Sequence, residues 1–194
     1  NSAFPFLRSK AQAEEAVKSG GLRWTIVRPS WVYGPEDRWT THVAMTLLAV
    51  PFVFPMVGDG QTRIQPLWVE DLAVCLERCV SSAKIAGRVF TLGGPGYLTI
   101  NEAVDAIAQT LGVRKRKSFI RVPVARRVAE MMQNAMPHPL LTTTMVDLLG
   151  VDATTELGTV VRSFGFEPAR FADALDYLRH QPWRRRCLQL FFRP

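Results

Sequence analysis

The sequence predicts an α/β fold with a parallel sheet, and three observations predict it. A run of strong helix formers, LRSKAQAEEAVKSG, ends at the pair Gly20 and Gly21. A β-branched and aromatic run of strand length, LRWTIVRPSWVYG, follows that turn at once. Strand-then-helix succession returns in IQPLWVEDLAVCLERCVSS and in GRVFTLGG with NEAVDAIAQTLG, the cadence of strands joined by helical crossovers.

The remaining elements follow in order. After GPEDRW, residues 41–50 read as a helix stopped by Pro51, and Asp59-Gly60 marks a tight turn. IQPLW is a short strand, and the helix behind it has Asp71 placed to cap it, with Glu70 beside it. GRVFTLGG is the next strand. Thr99 and Glu102 spell a capping box for NEAVDAIAQTLG, which Gly112 ends. KSFIRVP is strand-like, and VARRVAEMMQNA is an amphipathic helix whose Met131 and Met132, with Met136, read as core. MPHPLL breaks the pattern, TTTMVDLLGV is a short helix, and two more short helices flank the turn at Gly165-Phe166. No internal repeat or low-complexity linker is present.

With 47% apolar and 21% charged residues, 194 residues suffice for one well-cored domain. The net charge of +7 is concentrated in VRKRKS (113–118) and WRRRC (183–187), with FFRP closing the chain. Such runs read first as solvated surface. No zinc finger, RNA-binding signature or basic recognition helix accompanies them, so nucleic acid is not an expected partner. Cys75, Cys79 and Cys187 lack metal-ligand or disulfide-framework spacing, and a reducing compartment suits them. His42, His138 and His180 share no spacing that suggests a triad or a metal site. The stretch VAMTLLAVPFVFPMV is broken by Pro51 and Pro55 and falls short of the roughly twenty residues a membrane span needs. The first residues lack a signal-peptide pattern, and the absence of an initiator Met implies that Asn1 is not the natural start. GGPG (93–96) follows a strand, but its spacing is that of neither a GxGxxG turn nor a P-loop.

Five segments, PFLRSKAQAE, TIVRPSWVYGPEDR, VGDGQTRIQPLWVEDLA, GRVFTLGGPGYLTINEAVDAIAQTLG and FGFEPARFADALDYL, stand in an informative order. Together they resemble the C-terminal portion of an extended or atypical short-chain dehydrogenase/reductase of the NAD-dependent epimerase/dehydratase superfamily. The nearest subgroup resembles bacterial relatives of the NAD(P)-binding accessory subunit of respiratory complex I. The resemblance implies the last part of a Rossmann-type parallel sheet plus a small mixed α/β substrate lobe. Residues 1–34 would be the remnant of the NAD(P)-binding domain, 35–182 the substrate lobe, and 183–194 a basic and aromatic tail. The Gly-rich half would lie upstream of Asn1.

In that family a YxxxK pair on one helix performs the chemistry, the Tyr moving the proton and the Lys binding the nicotinamide ribose. The resemblance puts Lys10 in the Lys position and Phe6 in the Tyr position. A phenyl ring has no ionisable proton, and positioned acids contribute roughly 10²–10⁴-fold. Tyr33, Ser9 and Ser30 are the hydroxyls weighed as substitutes. Tyr33 reads as packing, and unaided serine hydroxyls are poor acids. Pro29, Ser30 and Val32 match the stretch whose backbone borders the nicotinamide, and a strand end rigidified by Pro29 explains them equally. Gln61, Arg63 and Gln65 match the substrate-facing loop, where a solvated turn is the alternative.

The expected function is therefore that of an NAD(P)-binding, dehydrogenase-like protein with compromised catalysis and a structural, assembly or sensing role. The alternative is an active NAD(P)-dependent oxidoreductase, epimerase or dehydratase on a small or nucleotide-linked substrate, using another proton donor. The expected cofactor is NAD or NADP, held weakly or not at all by this chain alone. A third reading is peripheral membrane or respiratory-complex association through WRRRCLQLFFRP. The expected location is cytoplasmic, or else peripheral on the inner or plasma membrane, or the mitochondrial matrix.

Overall fold

The computed structural model describes residues 5–82, 85–135, 139 and 141–183, apart from the side chain of Phe6. Helix α1 (Pro5–Ser19) passes through a turn, with Gly21 at φ 71°, into strand β1 (Thr25–Pro29). Arg28 of β1 grips Glu14 of α1 through Nε–Oε1 at 2.8 Å and Nη2–Oε2 at 2.5 Å, so the helix runs back along its strand. The run expected as one strand is two. Ser30 and Trp31 leave the extended ladder, and β2 (Val32–Tyr33) follows them.

Strand pairing is mainly parallel. β1 pairs with β6 (Arg88–Leu92), β2 with β5 (Leu67–Trp68), and β3 (Val53–Val57) with β8 (Arg116–Ile120). β4 (Arg63–Ile64) and β7 (Leu98–Thr99) pair antiparallel. In the first pair Thr25 stands opposite Arg88 and Pro29 opposite Leu92, so residues 1–34 and 35–182 share a sheet. β3 and β7 had no counterpart in the sequence reading. VFPMV lies in the apolar stretch read as too broken to span a membrane, with no element expected there, but Phe52, at φ 64°, turns the chain into β3. Pro55 is tolerated because β3 has a single hydrogen-bonded neighbour.

Helix α2 (Arg38–Ala49) begins three residues earlier than expected, because Asp37 caps it by accepting the Thr40 N–H at 2.7 Å. Helix α3 (Val69–Ser81) corrects the expectation for Asp71. That residue lies inside the first turn, and its Oδ2 accepts the Ala169 N–H at 2.8 Å instead of capping. Helix α4 (Ile100–Thr110) carries the full capping box: the Glu102 N–H meets Thr99 Oγ1 at 3.1 Å, and the Thr99 N–H meets Glu102 Oε2 at 2.7 Å. Gly112, at φ 68°, turns the chain beyond it. Helices α5 (Val122–Ala135), α6 (Thr143–Leu148) and α7 (Thr159–Phe164) follow. A 3₁₀ turn, Asp176–Leu178, stands where the last short helix was expected.

The main core gathers Tyr33, Leu47, Ile64, Ile107, Leu175 and Leu178, each at most 1% exposed. A second cluster joins Leu67, Cys75 and Leu92 to Val160 and Phe164. Burial pushes the Cys75 thiol up to about 11, as befits a small buried hydrophobe. Two expectations change here. Met131 is 71% exposed rather than core. Lys117 of the first basic run is largely covered, ion-paired to Asp105 at 2.7 Å and donating to Asn101 Oδ1 at 2.6 Å. Among the described residues no helix is long and apolar enough to cross a membrane.

Candidate functional site

A cleft of about 640 Å³ opens beyond the C-terminal end of β1. Its walls are Ser30, Trp31 and Val32, the start of α2 (Asp37, Arg38 and Trp39), and a facing stretch that includes Thr142, Thr144, Met145 and Leu149. Cleft volumes of this order suit small-molecule ligands, and the carboxyl ends of parallel strands are where open α/β sheets place them.

Lys10 lies on exposed α1. It precedes Glu14 by four residues, so both side chains share one helix face. Glu14 holds Arg28, hence Lys10 sits about 6 Å further toward the C-terminal end of β1, the end that opens on the cleft. Phe6 continues that face by another turn of α1, and the placement of its ring lies outside the described residues. Pro29 is exposed at the strand end. Ser30 donates its backbone N–H to the Leu92 carbonyl at 2.7 Å and its hydroxyl to the Gln65 carbonyl. Its proton is thus engaged internally, while its wall position beside Val32 borders the cleft.

The three residues of the expected substrate loop do not come together as one surface. Gln61 is exposed, its N–H held by Asp59 Oδ1 at 2.9 Å. Arg63 is exposed and meets Asp152 twice, through Nε at 3.1 Å and through its backbone N–H at 2.8 Å. These contacts hold the Asp152 carboxyl below its ordinary range. Gln65 is fully buried. Its Nε2 donates to the Gly94 carbonyl at 2.8 Å, and its Oε1 accepts the Thr155 N–H at 2.7 Å. Gly93 leaves it room, since a Cβ there would stand 2.3 Å from Gln65 Cδ. Gln65 therefore faces inward and ties three chain segments together.

Sequence reasoning missed Asp37 and Tyr177. Asp37 Oδ2 accepts from the Gly34 N–H at 3.1 Å, the Tyr177 hydroxyl at 3.2 Å and the Thr40 hydroxyl. With the Thr40 N–H on Oδ1, four hydrogen bonds commit this carboxyl to the loop-helix junction. Its signal in the sequence was an Asp directly before a helical run. Tyr177 comes from the far end of the chain, so no local pattern announces it. Burial raises the phenols of Tyr33 and Tyr177 well above their ordinary value. Tyr33 is 1% exposed and packs edge-on against Phe171, with ring centroids 4.7 Å apart. Among the described residues no group of His, Cys, Asp and Glu could hold a metal ion.

Comparison with known proteins follows this geometry. The RmlD substrate binding domain family matches residues 6–175. The chain is 31% identical over 153 residues to "NADH dehydrogenase [ubiquinone] 1 alpha subcomplex subunit 9, mitochondrial" of Arabidopsis thaliana, covering 77% of this chain and 38% of that protein. It is 25% identical over 174 residues to the "NADH-ubiquinone oxidoreductase 40 kDa subunit, mitochondrial" of Neurospora crassa, covering 89% and 45% respectively. The chain thus spans less than half the length of these curated relatives. Among solved structures, dTDP-glucose 4,6-dehydratase of Bacillus anthracis in complex with NAD superposes with a TM-score of 0.67 at 20% identity, over 100% of this chain and 56% of that one. That likeness establishes the Rossmann-like α/β fold. By its match over residues 6–175, the chain belongs to the RmlD substrate binding domain family and is homologous to these complex I subunits.

Proposed function

We propose that this chain is the substrate-side part of an NAD(P)-binding protein whose ordinary dehydrogenase chemistry is compromised, serving a structural, assembly or sensing role beside a respiratory complex. One observation carries the reading. On helix α1 the residue four before Lys10 is Phe6, a ring with no ionisable proton, where the family resemblance puts a Tyr.

The cleft offers no ready replacement. Asp37, the one carboxyl group among its described lining residues, already accepts four hydrogen bonds. The nicotinamide end of a dinucleotide would find an exposed cation on α1, with Ser30 and Val32 at the cleft wall and Pro29 just before them at the strand end. When bound, the cofactor would supply hydride chemistry, and this chain would orient it through Lys10 and shield it with Trp31. The homologous complex I subunits support a respiratory-complex partner. Such a partner would place the protein in the cytoplasm or the mitochondrial matrix, against the membrane that carries the complex. The basic tail, 183–194, is the segment proposed for contact with that membrane or complex, and beyond Trp183 it lies outside the described residues.

Replacing Phe6→Tyr in the protein that carries this chain tests the reading. NAD(P)H turnover is expected to be absent before the replacement and to appear with it, by up to roughly 10²–10⁴-fold. Turnover in the unmodified protein would defeat the compromised-catalysis reading and favour an active reductase, epimerase or dehydratase.

A further inference from the structure

The turn from α2 into β3 carries apolar side chains on its outside. Leu48, Val50 and Phe52 are exposed, Phe52 at 84%, and Val53 opens β3 beside them. Phe52 stands at φ 64°, a region that bulky residues rarely enter. Glycine would adopt that turn without strain, and a ring so exposed packs against too little of this chain to offset it. The fold of this chain therefore gives no reason for an aromatic at the tip.

The basic run VRKRKS is fastened to the same turn. Lys115 Nζ donates to the Val50 carbonyl at 2.9 Å, and the Arg116 N–H donates to the Phe52 carbonyl at 3.2 Å. Arg116 stands opposite Val53 in the β3–β8 ladder. Arg114 and Arg116 are exposed, and among the described residues neither they nor Lys115 has an acidic partner. Beside them opens a groove of about 560 Å³, lined by Arg114, Lys115 and Lys117 with apolar Leu47, Phe54 and Val104. The carboxylate in that lining, Asp105, is already ion-paired to Lys117 at 2.7 Å. An anion entering the groove meets Arg114 and Lys115 without an uncommitted carboxylate opposing it.

Cations without acidic partners and an exposed apolar tip thus share one edge. Water suits the cations and not the tip. An acidic protein suits the cations, but it needs a pocket shaped for Phe52. An anionic lipid interface suits both without shape complementarity: phosphates attract the cations, and the acyl boundary takes the ring and the aliphatic groups. We propose that the edge formed by residues 48–53 and 114–116 docks on an anionic phospholipid surface. Phe52 enters below the headgroups, and the groove of Arg114 and Lys115 takes a headgroup phosphate. The inference does not rest on the dinucleotide reading, and it is tested without cofactor.

The probe is phosphatidylglycerol mixed into phosphatidylcholine vesicles, co-sedimented with the 194-residue chain and compared with phosphatidylcholine alone. Binding that requires phosphatidylglycerol is expected. Phe52→Gly, which suits the φ of the turn, is expected to weaken it about tenfold while the circular dichroism stays native. Arg114→Gln with Arg116→Gln is expected to weaken it roughly thirtyfold, or about fivefold per charge. Phe52→Trp is expected to gain fluorescence quenching by brominated acyl chains over the unmodified chain. Residues 184–194 are common to every variant, so differences among them report on this edge alone. Equal binding to both vesicle types would overturn the proposal, as would no binding to either or no gain in quenching. Loss confined to the arginine variant, with Phe52→Gly unchanged, would also overturn it and point to an acidic protein as the partner.

Discussion

Gln65 is fully buried and His42 partly so, and the two differ in whether their polar atoms find partners. The Gln65 carboxamide satisfies the Gly94 carbonyl and the Thr155 N–H, while its own backbone carbonyl takes the Ser30 hydroxyl. Gln65→Leu strands both partners of the carboxamide, and the expected loss is roughly 2–4 kcal/mol of unfolding free energy, read from urea titration. His42 behaves in the opposite sense. Burial first, then Arg38, hold its pKa below 6.5, with Asp37 opposing. The folded chain therefore binds this proton less readily than the unfolded chain does. Stability is full above the ordinary histidine range and falls as pH drops through about 6.5 toward the lower folded value. Urea midpoints at pH 7.5 and 5.5 are expected to converge in His42→Leu relative to the unmodified chain. A drop of the same size in both would remove His42 from the account.

At the scale of elements, the strongest local statement is the start of α4. Thr99 and Glu102 satisfy each other's backbone donors, and the helix that follows buries Ala103, Val104 and Ile107 in the main core. Thr99→Ala is expected to cost about 1 kcal/mol. Adding Glu102→Ala is expected to cost less than the sum of the single changes, because the two residues form one unit. Thermal denaturation of the four-member set measures both, and strict additivity would mean that the box is not cooperative. The same reasoning shows why α3 departs from expectation. A carboxylate near a helix start is attracted by the exposed N–H groups, but Asp71 finds Ala169 across the fold. Nothing local in EDLAV signals that partner.

For the whole molecule, the decisive fact is which strands meet. β1 and β6 pair in register between residues 63 apart in sequence, as Thr25 with Arg88, and α1 is held to them by Arg28 and Glu14. Much of α1 is exposed, as are Leu22 at 81% and Val80 at 89%. The cleft lies where this unit meets α2 and α6, so one wall of the proposed cofactor site is present. No glycine-rich phosphate loop stands between strand and helix in this sequence to supply the pyrophosphate wall. Titration of the 194-residue chain with NADH and NADPH is accordingly expected to give weak or no saturation, and saturation is expected once a glycine-rich phosphate loop is supplied alongside it. Tight binding by the chain alone would contradict this division of the site.

The sequence by itself determined the α/β class, the presence and order of the longer helices and the capping box at Thr99, because these rest on local propensity and short spacings. Tertiary structure decided what local pattern cannot encode: that β3 is a strand, that Gln65 faces inward, that Asp37 and Tyr177 meet over 140 residues, and that His42 Nδ1 has no hydrogen-bond partner among the described residues. Each depends on groups distant in sequence competing for the same hydrogen bond or the same space. A residue's role is therefore settled by what the fold brings to it, not by the run of chain in which it stands.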